Sequence, residues 1–105
     1  MPATPHAVRG ALIAYHLGEV SATHRSRFTQ MVLGQARTVG DRRYRRHGLL
    51  DEIPHWKLSR GVVVVSAQDR ARLVRELRRW TREIEWWEVA LTPRQARRLR
   101  LGPSR

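Results

Sequence analysis

The chain has no cysteine, a single lysine (Lys57) and only nine acidic residues. Without cysteine there can be no disulfide framework, no cysteine-ligated zinc finger and no thiol nucleophile. The lack of cysteine also agrees with a reducing compartment, so we expect a cytoplasmic protein. No apolar run approaches the roughly 20 residues that span a bilayer, so no membrane association is expected.

Arginine is what the chain has in excess. It supplies 20 of the 21 basic residues, and the formal net charge is +12 over 105 residues. A folded chain with this imbalance repels itself unless a polyanion binds, and the planar guanidinium group matches phosphate geometry. Hydrophobic residues make up 41 % of the chain, which is enough to form a core. The composition therefore predicts a folded protein that binds nucleic acid.

The pattern along the chain predicts one domain. Two prolines and little apolar character mark residues 1–9 as a flexible leader. Residues 10–101 then form a single α+β domain, and residues 102–105 form a tail. No linker and no internal repeat divides the chain.

The first half contains a predicted strand, a helix and a basic extended segment. Residues 11–17 are short and apolar, as in a strand. Ser21 or Thr23 can cap a helix in which Phe28, Met31 and Val32 share one face, and Gly34 ends it. A turn or bulge at residues 39–41 then precedes the extended basic residues 42–46.

The second half repeats the order of strand and helix. Residues 58–66 include four consecutive valines and are the strongest strand signal in the chain. Ser66 and Asp69 have the form of a capping box, and Leu73, Val74, Leu77 and Trp80 lie on one face of the helix that follows. Residues 84–91 are strand-like, and Thr92-Pro93 can start a final helix over residues 94–101.

This order predicts a ferredoxin-like βαββαβ sandwich. With right-handed crossovers, the four strands form an antiparallel sheet, both helices lie on one face, and a short C-terminal helix follows.

The most basic segment is residues 37–46, with five arginines and one aspartate. It is interpreted as an arm that tracks phosphates, with Tyr44 available to stack on a base; the alternative is a solvated hairpin. The final helix carries Arg94, Arg97 and Arg98 on one side, as a second backbone-binding site or as a soluble terminus.

Trp86 and Trp87 are adjacent on a predicted strand and therefore point to opposite faces of the sheet. One of them should enter the core under the helices. The other lies on the open face, as a platform for base stacking. Alternatively, the loop around Trp56 covers that face, or a second subunit covers it in a homodimer.

The five histidines do not form a recognisable metal site, since no pair has the spacing of a helical site. His47 and His55 flank Asp51 and Glu52, which suggests a general acid–base group of a ribonuclease as an alternative. We expect these histidines to be surface or RNA-contacting residues, with no catalytic residue, no metal and no cofactor.

Two resemblances are carried by longer stretches. Residues 57–91, from Lys57-Leu-Ser-Arg-Gly-Val through Trp86-Trp87-Glu88-Val89, resemble small β-α-β ribosomal proteins of the archaeal and eukaryotic large subunit. That resemblance implies binding of ribosomal RNA through Arg60 and the basic strand before it. The order of elements is also similar to that of the CRISPR-associated Cas2 family. That family carries an aspartate at the end of its first strand, but here Glu19 is the nearest acid.

The sequence thus predicts a non-enzymatic RNA-binding protein, a component of the ribosome or of another stable ribonucleoprotein. Its expected partners are ribosomal RNA and neighbouring ribosomal proteins. The alternative is a Cas2-like or toxin-type ribonuclease that depends on a metal or on histidine. The predicted RNA-binding residues are Arg25, Arg27, Arg37, Arg42, Arg43, Tyr44, Arg45, Arg46, Trp56, Lys57, Arg60, Arg94, Arg97 and Arg98.

Overall fold

The computed structural model describes residues 8–100, which form six strands and four α-helices. The strands are β1 (Val8–His16), β2 (Gln35–Val39), β3 (Arg42–Arg46), β4 (His55–Ser59), β5 (Val62–Ser66) and β6 (Glu83–Leu91). The helices are α1 (Ala22–Phe28), α2 (Leu49–Glu52), α3 (Ala67–Leu77) and α4 (Pro93–Arg100). Helix α1 continues directly into a π-helical turn, Thr29–Leu33.

The main sheet has four antiparallel strands in the order β4-β5-β1-β6. The long strand β1 lies inside the sheet, where Ile13 is opposite Val63 on one side and Trp86 on the other. The predicted α+β class and the four-stranded antiparallel sheet are therefore confirmed.

The two faces of the sheet bury different clusters. On one face, alternate residues of β1 and β5, among them Ile13 and Val63, pack with Phe28 of α1 and Leu73 and Leu77 of α3. On the other face, α4 covers part of the sheet by placing Leu99 against Val64 and Leu91. Helices α1 and α3 thus share one face, and the short C-terminal helix lies on the other.

The structure corrects the prediction for the basic strand. Residues 42–46 were expected to enter the main sheet, but β3 pairs only with β2, in a separate hairpin. The main sheet instead takes β4 as its strand before β5, so the single strand expected over residues 58–66 is two strands. The physical reason is that β3 has no side chain to bury, whereas Gly61, at φ +76°, permits a turn within the apolar run.

Smaller differences concern the ends of elements. Strand β1 begins at Val8, which pairs with Leu91, so Val8 and Arg9 belong to the sheet instead of to the predicted leader. Met31 is 56 % exposed because the chain widens into the π-helical turn and its helical phase shifts. The hydroxyl of Ser66 donates to the Asp69 carboxylate at 3.0 Å and caps no backbone amide. The predictions for residues 1–7 and 101–105 lie outside the described residues.

Candidate nucleic-acid interface

The hairpin of β2 and β3, residues 35–46, forms an arm that is separate from the main sheet. Val39 is opposite Arg42, so the turn contains only Gly40 and Asp41. Gly40 has φ +64° and Asp41 has a negative φ, which is the pattern of a type II′ hairpin turn. All five residues of β3 are exposed. The arm is therefore a surface element, held in shape by its own ladder of hydrogen bonds.

Alternation along β3 divides the side chains of the arm between two sides. Arg42, Tyr44 and Arg46 lie on one side, and Arg43 and Arg45 lie on the other. Residues on the same side are about 6.7 Å apart along the strand. In the register, Arg37 of β2 is opposite Tyr44. One side of the arm thus carries an aromatic ring between two arginines.

The base of the arm is held where its two ends meet. A Cβ atom on Gly48 would stand 2.2 Å from the amide nitrogen of Gly34, so the two backbones touch at a point that admits no side chain. Asp51 closes this junction: one carboxylate oxygen accepts from the Gly48 amide at 2.8 Å and the other from the Arg45 guanidinium at 2.7 Å. The same guanidinium group lies 3.4 Å from the carbonyl oxygen of Leu33. Arg45 therefore orients the arm as well as adding charge.

The ionisation of Asp51 follows from these contacts. Burial of the carboxyl group opposes its ionisation, but the Gly48 hydrogen bond and the Arg45 ion pair outweigh burial, so the pKa of Asp51 is lowered. Asp51 is therefore a carboxylate at neutral pH and keeps its hold on the arm.

A second group of cations lines a groove beside the arm. Arg25 comes from α1, Lys57 from β4 and Arg60 from the β4–β5 turn, and together they border a groove of about 470 Å³. Leu33, two residues before the arm, lines the same groove. Among the described lining residues there is no carboxylate. The fold thus brings together three predicted cations that are far apart in sequence. Arg27 is exposed on the same helix.

The remaining predicted residues lie on the opposite face of the sheet. Arg94, Arg97 and Arg98 are exposed on α4, and the Arg98 guanidinium lies 4.8 Å from the ring centroid of Trp56. Trp56, Val64, Leu12 and Trp87 are cross-strand neighbours in one row over this face. The structure therefore divides the predicted site between two surfaces instead of one.

The tryptophan pair is divided between the faces as predicted, but neither ring is buried. Trp87 is 52 % exposed on the α4 side. Trp86 is on the side of α3, and it remains 37 % exposed, with Arg70 stacked 4.0 Å from its ring centroid. The expectation that one of the two enters the core is wrong, because β6 lies at the edge of the sheet.

The arginines differ in whether an acidic side chain pairs with them. On α3, Arg72 pairs with Glu52 at 2.6 Å, and Glu76 contacts both Arg75 and, in the turn after the helix, Arg79. In the arm, by contrast, Arg42, Arg43 and Arg46 have no ion-pair partner within the described residues. The same holds for the three cations of the groove. Positive charge is therefore spread over the molecule, but on α3 much of it is neutralised internally.

Histidines among the described residues make local contacts within the fold. A ring nitrogen of His24 lies 3.0 Å from the Trp80 carbonyl oxygen, and the two rings pack at 5.4 Å. His47 lies 3.3 Å from Glu52, and that glutamate is also held by Arg72. The Arg72 hydrogen bond, with help from the charge of His47, lowers the pKa of Glu52. Residues 8–100 contain no cluster of three or more histidine, aspartate or glutamate side chains that could hold a metal ion.

Sequence reasoning missed two residues of this surface. Asp51 was considered only as an acid–base candidate, whereas it fastens the arm. Its spacing of three residues from Gly48 is a signal for a local carboxylate-to-amide hydrogen bond at a helix start. Tyr15 was assigned to the first strand, and nothing local shows that its ring borders the groove.

Comparison of the chain with known protein families, with curated proteins and with solved structures finds no match. Among the described residues, no helix has both the length and the apolar character needed to cross a membrane.

Proposed function

We propose that the protein is a non-enzymatic RNA-binding protein, a component of the ribosome or of another stable ribonucleoprotein. The observation that carries this proposal is the arm, whose exposed arginines Arg42, Arg43 and Arg46 have no acidic partner among the described residues. Strand β3 buries no side chain, so it adds nothing to the core and leaves these three guanidinium groups available to phosphates.

The groove extends this surface. Leu33 lines the groove and its carbonyl oxygen accepts from Arg45, so the groove with its three cations begins at the base of the arm. The arginines of α4 add a second contact on the far side of the sheet. A protein with basic surfaces on two sides suits a folded RNA that surrounds it better than a single straight duplex groove.

The strand order β4-β5-β1-β6 supports the further proposal that the fold is ferredoxin-like. Without the arm and α2, the elements from β1 to β6 run βαββαβ. Strands β1 and β4, joined through α1, have β5 between them, and strands β5 and β6, joined through α3, have β1 between them, as the ferredoxin-like arrangement requires. The arm is then an insertion between the first helix and the second strand of the sheet.

The test is incubation of the purified protein with labelled ribosomal RNA, with and without magnesium. We expect retention of intact RNA, and an affinity that falls steeply as salt is raised. Competition with duplex DNA at matched salt should favour the RNA. Cleavage that is lost on changing His47 or Glu19 would instead support the ribonuclease alternative. In cell extract, the protein should sediment with ribosomal subunits or another large ribonucleoprotein.

A further inference from the structure

The groove beside the arm combines two chemistries that phosphate binding alone does not need. Its rim has the cations Arg25, Lys57 and Arg60, while the side chains of Tyr15, Leu17, Phe28 and Leu33 give it an apolar, partly aromatic lining. The Tyr15 and Phe28 rings pack against each other, 5.6 Å apart. A volume of about 470 Å³ is within the range, about 300–1,000 Å³, of pockets that hold small organic ligands.

The groove is held in shape without its ligand. The Tyr15 amide donates to the Gly61 carbonyl oxygen at 2.9 Å, which ties the turn carrying Arg60 to β1. A Cβ on Gly61 would meet the Tyr15 carbonyl oxygen at 2.6 Å, so only glycine permits this approach. Arg25 donates to the Gly18 carbonyl oxygen at 3.0 Å, and Thr29 donates to the Arg25 carbonyl oxygen at 3.1 Å. The Arg25 side chain and the backbone beside Arg60 are therefore each held by hydrogen bonds.

Tyr15 brings a hydroxyl group to the side chains that line the groove. The Tyr15 hydroxyl makes no hydrogen bond within the described residues, and burial raises its pKa, so it stays protonated and can donate. His16 lies at the groove edge, where Glu83 is 3.6 Å from its ring nitrogen. Glu83 itself does not line the groove, and no carboxylate among the described lining residues neutralises the three rim cations.

We infer that this groove binds one unpaired nucleotide, with its base against the Tyr15 side and its phosphate on Arg25, Lys57 and Arg60. This inference rests on the proposed RNA-binding function and adds the class of substrate: RNA with an unpaired nucleotide beside the part held by the arm. A bare phosphate would make no use of the apolar lining. A duplex backbone would leave the base outside the groove, whereas an unpaired base can turn out of the stack and enter it.

The first experiment follows amide resonances by NMR while adenosine monophosphate, adenosine or inorganic phosphate is added to the full chain. We expect the monophosphate to shift Thr29, Leu33 and Gly61 at lower concentration than either component alone. The variant Lys57→Gln/Arg60→Gln should weaken this binding about tenfold to a hundredfold, as loss of two charge-assisted contacts predicts. Neither of these two side chains makes a hydrogen bond within the described residues, so the fold should persist.

Two further variants separate a binding role from a structural one. Tyr15→Phe keeps the ring and should weaken the monophosphate about threefold to tenfold, the effect of one neutral hydrogen bond. Arg72→Gln/Arg75→Gln removes the same charge as the groove variant, but from side chains that do not line the groove and already pair with Glu52 and Glu76. It should leave the affinity within about twofold, because only screened long-range attraction is lost. Inorganic phosphate that binds as well as the monophosphate would overturn the inference, as would shifts confined to α4.

The second experiment compares a hairpin RNA carrying a single-nucleotide bulge with the same hairpin fully paired. We expect the protein to prefer the bulged RNA, and Lys57→Gln/Arg60→Gln to abolish that preference. Equal affinity for the two RNAs would overturn the inference while leaving the arm proposal intact. Failure to bind either RNA would overturn both.

Discussion

Removal of the free charges of the arm should lower RNA affinity far more than removal of equal charge elsewhere. The variant Arg42→Gln/Arg43→Gln/Arg46→Gln takes away three guanidinium groups that have no ion-pair partner among the described residues. Each phosphate contact contributes about 0.7 to 0.9 to the slope of log affinity against log salt. The slope should therefore fall by about 2 to 3.

The loss of affinity can be estimated in the same way. At about 1 kcal/mol for each contact, the three contacts are worth about 3 kcal/mol, so the dissociation constant should rise roughly a hundredfold. Because every changed side chain is exposed and buries no apolar area, the melting temperature should stay within a few degrees of the original. Fluorescence anisotropy of a labelled structured RNA, measured at several salt concentrations, gives both the affinity and the slope.

A matched control comes from α3 and the turn that follows it. The variant Arg72→Gln/Arg75→Gln/Arg79→Gln removes the same net charge, but from side chains that already pair with Glu52 and Glu76. It should weaken binding no more than about threefold, since only screened long-range attraction is lost. If both triple variants lose affinity and slope equally, net charge and not the arm binds the RNA, and the reasoning is refuted.

Three further changes test the parts that hold the arm and the core. Asp51→Asn should lower the free energy of unfolding by about 1–2 kcal/mol at neutral pH. Because folding lowers the pKa of Asp51, this difference in stability should be constant above the unfolded pKa of about 3.9 and disappear as pH falls through the folded pKa. Urea denaturation of both proteins across pH measures the difference. A difference that persists in strong acid would contradict the prediction. Gly48→Ala should disorder the base of the arm, because its Cβ would stand 2.2 Å from the Gly34 amide nitrogen. Hydrogen exchange should then show faster exchange of the amides of residues 35–46. Unchanged exchange would contradict a close contact between the two glycines. Leu73→Ala removes a core side chain that is 0 % exposed and should cost about 2–5 kcal/mol in thermal or urea unfolding, while the folded fraction keeps its RNA affinity.

Much of the main sheet could be read from the sequence because its signals are local. The four valines at residues 62–65 mark β5 regardless of their neighbours, and the spacing of Leu73, Val74 and Leu77 marks the buried face of α3. The alternation of Trp86 and Trp87 between faces follows from strand geometry alone. These features were predicted correctly because residue propensity, sequence periodicity and burial all favour the same structure.

The separation of the arm from the sheet could not be read in the same way. An extended basic segment can be an edge strand or a free hairpin, and the choice depends on which other segment completes the sheet. Residues 55–59 do so, because Trp56 buries against the sheet beside Val64, whereas β3 offers only Tyr44 among arginines. Tertiary packing, not local pattern, decided between them.

The groove could not be predicted from the sequence either, because its residues come from separate parts of the chain. Arg25 and Lys57 were predicted to bind RNA as basic residues, and Arg60 through the resemblance to ribosomal proteins. Their convergence depends on how α1 crosses the sheet and where β4 turns into β5. The role of Asp51 depends similarly on the contact between Gly34 and Gly48, two residues separated by the whole arm.

Ultraviolet cross-linking of the purified protein to structured RNA, followed by mapping of the modified peptides, tests most directly whether the arm and the groove hold RNA. We expect cross-links on the arm peptide that contains Tyr44 and on the β1 peptide that contains Tyr15. Cross-links confined to Trp87 and α4, or none at a salt concentration where the protein retains RNA, would contradict the assignment of the binding surface to the arm.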